Sequence, residues 1–107
     1  MLRIYPFALQ LIASLAQLLA QIARADSDLA RQMRRASSSI ILNLAEGSYS
    51  RGKLRQARYH NALGSARETL ACLEVAVALG YVRELPAPVV AGFNRVIGTL
   101  VKLVGVA

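Results

Sequence analysis

The chain is short of the side chains that most often carry chemistry. It has one Cys and one His in 107 residues. A lone Cys excludes an internal disulfide framework, and one Cys with one His cannot complete a zinc site. Cys72 stands in an apolar run, where a small buried hydrophobe is the expected role, and this fits a reducing cytoplasm. No Glu-x-x-His repeat is present, so a di-metal bundle interior is excluded. No glycine loop of the phosphate-cradling kind occurs either. His60 has no acid near it in sequence, and Ser37 to Ser39 have no assigned base. The expectation is a protein with no catalytic, metal or cofactor-binding residues, and not an enzyme. Alternating apolar runs bounded by hairpin turns are missing as well, which removes strands.

Acid is the scarcer charge. Thirteen Lys+Arg face 6 Asp+Glu, a formal charge of +7. Such an excess favours polyanionic partners, nucleic acid above all, and says nothing about fold. The competing reading is solubility with a few buried ion pairs. Hydrophobic residues make up 55% and charged residues 18%, rich for a soluble monomer of one domain. That balance implies either a membrane contact or surface buried against other copies of the chain. No charge falls between Arg3 and Arg24, and Ala23-Arg24-Ala25 imitates a signal-peptide cleavage site. Against export or insertion, Gln10, Ser14, Gln17 and Gln21 recur at 4-3-4 spacing, a polar seam that an export signal does not need. A bundle helix, with no membrane partner, is the better expectation.

Helical periodicity organises the chain. Pro6 is placed to open a helix, and Phe7, Leu11, Leu15, Leu18 and Ile22 form its stripe, broadened by Ile12 and Leu19. This helix is expected over 7–24. Asp26, Ser27 and Asp28 supply a break and an N-cap for a second helix over 27–48. Gly47 and Gly52 bracket a polar turn. A third helix over 53–80 has the seam Tyr59, Leu63, Ala66, Leu70, Leu73 and Val77, with small residues at Ala62, Gly64 and Ser65 and a Gly80 C-cap. Pro86 and Pro88 introduce a fourth over 87–104, with Val89, Phe93, Val96, Leu100 and Leu103 as its stripe. Gly92 and Gly98 each weaken that helix by about 1 kcal/mol relative to Ala. The expected fold is all-α, an antiparallel up-down-up-down four-helix bundle in one domain, 1–107.

The second helix carries more pattern than a helix needs. Leu29, Met33, Ala36, Ile40 and Leu44 make its apolar stripe, and Gln32, Arg35, Ser39, Asn43 and Glu46 form an ordered polar strip along one edge. Arg35 and Glu46 stand roughly 16 Å apart at the helical rise, so they cannot pair within one helix. Glu46 must meet an arginine elsewhere or stay solvated, and Glu68 is in the same position. With Arg34, these residues are expected to form a polar network or subunit interface that fixes register. Ile41 and Leu42 lie off the buried stripe and are the expected apolar interface. On the third helix, Arg51, Arg55 and Arg58 at i, i+4, i+7 flank the first turns, and Lys53, His60 and Arg67 repeat at sevens. These six are the candidate nucleic-acid contacts, suited to phosphate neutralisation. Apart from Tyr49 and Tyr59 they lack interleaved aromatics, so binding is expected to be salt-sensitive with little base readout.

The motifs Gln32-x-Arg34-Arg35-Ala36, Ser39-Ile40 and Asn43-Leu44-Ala45-Glu46-Gly47, followed by Ala62-Leu63-Gly64-Ser65, Glu68 and Leu79-Gly80-Tyr81, resemble the bacterial four-helix-bundle proteins. These are also called 23S rRNA intervening-sequence proteins and are related to the accessory proteins of diversity-generating retroelements. The resemblance covers about 32–81. It implies a cytoplasmic homo-oligomer, commonly a pentamer, without enzymatic activity. The retroelement relatives imply RNA or DNA, and a reverse transcriptase, as further partners. The chain departs from the pattern at Ile41-Leu42, where a Pro and a small residue are usual, and at the basic stretch from Arg51 to Arg55, where a Ser cap, an acid and aromatics are usual.

Overall fold

The computed structural model describes residues 2–105, and these contain five helices and no strands. They are α1 (Ile4–Ala13), α2 (Ala16–Ala25), α3 (Ser27–Tyr49), α4 (Gly52–Ala78) and α5 (Ala87–Gly105). The α4 helix, at 27 residues, should run about 40 Å, and the long dimension of the molecule is 42 Å. The most extensive helix contact is α3 on α4; α1 and α2 cover α3, and α5 packs on α4 and returns to α1. Every element therefore buries its apolar stripe against a neighbour.

The single first helix expected over 7–24 is two helices, bent by 43° at Ser14–Leu15. The cause is local. Ser14 Oγ donates to the Leu11 carbonyl at 2.6 Å, and Leu15 N bonds the Ile12 carbonyl at 3.0 Å, three residues back rather than four. A serine that bonds its own preceding turn tightens and bends a helix. Regular spacing resumes at Leu19, which bonds Leu15 at 2.8 Å. The bend keeps Leu11, Leu15 and Ile22 all buried. Helix α1 also begins at Ile4, ahead of the expected start. Pro6 then sits in its first turn, where its missing N–H has no intrahelical partner to lose.

The other helices end within two residues of expectation, and their stripes lead inward. Met33, Ala36, Ile40 and Leu44 of α3, Tyr59, Leu63, Ala66 and Leu73 of α4, and Val89, Phe93, Val96 and Leu100 of α5 are buried. Asp26 caps α3 by accepting from Leu29 N at 3.0 Å. Two glycines differ from expectation. Gly47 does not open a turn: it is buried inside the last turns of α3, where a Cβ would overlap the Tyr59 ring. Gly92 is also buried, with Leu11 Cδ1 2.6 Å from where a Cβ would stand, so its lost helix propensity is exchanged for close approach of α5 to α1. One described helix, α5, is long and apolar enough to cross a membrane by length and composition; its Val89–Phe93–Val96–Leu100 face is packed in the core.

The far end of α4 closes by a Schellman turn. Gly80 takes φ +79°, Tyr81 N bonds the Ala76 carbonyl at 2.8 Å, and Gly80 N bonds that of Val77 at 3.0 Å. Tyr81 then reaches across the molecule. Its hydroxyl donates to Asp26 Oδ2 at 3.1 Å, and Gln21 Nε2 donates to its carbonyl at 3.1 Å. The bond to Asp26, with its nearby charge, holds the phenol neutral beyond its ordinary range near 10. A phenol with a raised folded-state pKa adds stability that is complete below pH 10 and is lost as pH rises through the folded value. Tyr81→Phe should therefore lower stability at neutral pH and flatten its alkaline decline, both read from urea midpoints between pH 7 and 11. An unchanged alkaline decline refutes the role.

Candidate functional site

The polar strip of α3 meets α4 along an open groove. Ser39 is the centre of the contact. Asn43 Nδ2 donates to the Ser39 carbonyl at 2.9 Å and to its Oγ at 3.0 Å, and Ser65 Oγ of α4 donates to Ser39 Oγ at 2.8 Å. Thr69, fully buried, donates to the Ser65 carbonyl at 2.8 Å and extends the chain of bonds into the core. Because Ser39 and Ser65 face each other as Gly47 faces Tyr59, the chain doubles back and the register of α4 on α3 is fixed. Among the described residues no buried side-chain polar atom lacks a partner.

On the solvent side of this contact lies a groove of about 450 Å³. Arg34, Arg35, Ser38, Leu42 and Glu46 of α3 line it, with Arg58 of α4 facing Ser39 and Asn43. A second open groove continues along α4 past His60, Asn61 and Glu68, sharing Ser39, Asn43 and Arg58. The strip and part of the basic flank, separate in sequence, are thus one surface. The three arginines, Glu46, His60 and Glu68 are exposed, while Ser39 and Asn43 are half-buried. Among the described residues the ion pair found is Arg31 with Asp28 at 3.3 Å, on open surface, where it contributes little. Neither Glu46 nor Glu68 forms one.

The remaining candidates go elsewhere. Arg55 donates from Nε to the Gly47 carbonyl at 3.1 Å and to that of Ser50 at 2.8 Å, closing the C-terminal end of α3. Arg51 is the N-cap residue of α4 without a side-chain cap bond, and Lys53 follows on its exposed first turn. Arg67 and Gln32 are exposed and lie outside both grooves. Ile41 is half-buried and Leu42 is 63% exposed; with Leu9 and Ile12 they form an apolar shelf beside the arginines. Sequence periodicity missed Ser38, Asn61 and the Ser39–Ser65 bond. Both serines of that bond stood in the sequence motifs, but nothing in their spacing paired them.

Other reactive groups are placed as packing. Cys72 is buried, and burial first and Glu68 second push its thiol up, away from the nucleophilic thiolate. Arg95 of α5 lies over the Phe7 ring at 4.2 Å, which covers that half-buried edge of α1. Among the described residues no three His, Cys, Asp or Glu side chains converge to hold a metal.

Comparison with known proteins agrees with this geometry at the level of fold. None of the curated proteins matches the chain. A crystal structure at 1.70 Å of a protein of unknown function from the S23 ribosomal protein family of Bacteroides thetaiotaomicron VPI-5482 superposes with a TM-score of 0.79. The identity is 15%, over 95% of this chain and 98% of that one, which speaks for the fold alone. The profile of one family spans residues 1–88, including the polar strip, both grooves and the Tyr81 closure. The chain belongs to the 23S rRNA-intervening sequence protein family.

Proposed function

We propose that this protein is a non-catalytic, cytoplasmic homo-oligomer that binds RNA or DNA backbone through a basic surface. In this reading α1 and α2 are one bent arm of an antiparallel four-helix bundle. The observation that carries the proposal is the meeting of Arg34 and Arg35 from α3 with Arg58 from α4 in one open groove, on a chain of net charge +7. Guanidiniums offer forked donors suited to phosphate oxygens, and each neutralised phosphate releases counterions. Arg55 is a lesser contributor, because its Nε is held by α3 carbonyls.

The test is a salt titration of binding to unrelated duplex and single-stranded RNA and DNA. The logarithm of affinity should fall linearly with that of salt. Replacing Arg34, Arg35 and Arg58 together with Ala should reduce the slope by about 2 to 3. Absence of binding at low salt, or a slope untouched by the triple variant, rejects the proposal.

The apolar shelf of Leu9, Ile12, Ile41 and Leu42 favours a second reading, a protein-interaction scaffold. Its partners would be other copies of the chain, in a pentamer, or a reverse transcriptase, as a resemblance to retroelement accessory proteins would imply. Light scattering at micromolar concentration decides the self-association. A monomer there removes the homo-oligomer from both readings.

A further inference from the structure

The groove on α3 is not uniformly basic, and its acceptors lie where a phosphate does not belong. Asn43 is oriented without ambiguity: the Ser39 carbonyl can only accept, so the amide nitrogen must face it. That nitrogen also donates to Ser39 Oγ, so it is turned toward Ser39. What Asn43 offers a ligand is therefore its acceptor oxygen. Glu46, one turn further along the same wall, adds a carboxylate that forms no ion pair among the described residues. Both groups repel phosphate oxygens and attract N–H donors. Arg58 stands across from them, and Arg34 and Arg35 lie at the other end of the wall, with Leu42 as an apolar face between.

We infer that the groove seats an unpaired nucleotide of single-stranded RNA, its phosphates on the arginines and a guanine edge against Glu46 and Asn43. This rests on the nucleic-acid reading above and narrows it. Guanine presents two adjacent donors, N1–H and the N2 amino group, which a carboxylate accepts side by side. In a duplex those donors face the paired base, so the acceptors of the groove are left without partners. An unpaired base can be splayed out, with Leu42 and the guanidinium planes available to its face. Asn43 is half-buried and Glu46 exposed, so both acceptors are open to a single splayed base.

The experiment measures binding of the full chain to an alternating guanosine–uridine decamer by fluorescence anisotropy. The same strand with inosine for guanosine lacks only the N2 amino group, and the strand annealed to its complement lacks free edges. The guanosine strand should bind about tenfold more tightly than the inosine strand, and more tightly than the duplex. Glu46→Gln should abolish the preference for guanosine and leave the salt slope unchanged; Glu46 is exposed, and circular dichroism checks that the variant folds. Arg58→Ala should weaken both single strands alike and reduce the slope by about 0.7. Equal binding of guanosine and inosine strands overturns the inference, as does equal binding of the duplex. So does a Glu46→Gln variant that binds every strand more tightly by the same factor. Those results leave backbone binding intact, whereas failure to bind any strand at low salt overturns the proposed function itself.

Discussion

Phe93→Ala should lower the stability of this protein by about 3–5 kcal/mol, the range for emptying a fully buried aromatic site. Phe93 is 0% exposed and is the largest side chain buried to that extent. It lies in the middle of α5, which packs on both α4 and α1, so no single neighbour can collapse into the space. Single domains are stable by about 5–15 kcal/mol in total, so the variant loses a large share. Urea denaturation measures it: the midpoint should fall markedly with little change in slope. A loss below about 1 kcal/mol would mean that α5 is not held as described.

Gly47→Ala should destabilise by about 1–3 kcal/mol, against the direction that helix propensity predicts. In a helix, Ala is favoured over Gly by about 1 kcal/mol. At Gly47 the added methyl meets the Tyr59 ring, which is 5% exposed and fixed by the core around it. A rigid ring cannot rotate aside as the end of a leucine can, so overpacking outweighs propensity. The control is Gly64→Ala, likewise inside a helix (α4) but exposed, where a Cβ meets nothing within 4 Å. That substitution should stabilise by up to about 1 kcal/mol. Opposite signs for the two glycines in thermal melts are the expected outcome; a shared sign refutes the packing account.

Sequence patterning located most of this architecture and little of its joinery. The stripe from Met33 to Leu44 and the seam from Tyr59 to Leu73 are legible because burial repeats with the helical period, a local property. The bend at Ser14 was hidden because serine on an apolar helix reads as one member of a polar seam. What bends the chain is the bond to the Leu11 carbonyl, which spacing does not encode. Gly47 read as a turn because glycine's two uses, unusual backbone angles and close approach, look alike in sequence. The strip from Arg35 to Glu46 was legible as a pattern, whereas its junction with Arg58 depended on which face of α4 meets α3. Arg55 shows the converse: three arginines at regular spacing have different tasks once a helix end lies beside one of them.

The Tyr81 closure has a consequence for how copies of this chain can associate. Exchange of a terminal helix between protomers needs a connection that can straighten and reach a neighbour. Here the connection to α5 is tied down at both Tyr81, through Asp26 and Gln21, and Val82, which is buried. Between Val82 and α5 only residues 83–86 remain, at most about 14 Å fully extended, with Leu85 packed on the core and Pro86 at the end. So short a leash keeps α5 in its own protomer. Any assembly of copies would then proceed by contact between finished surfaces, and dissociating them would not require unfolding.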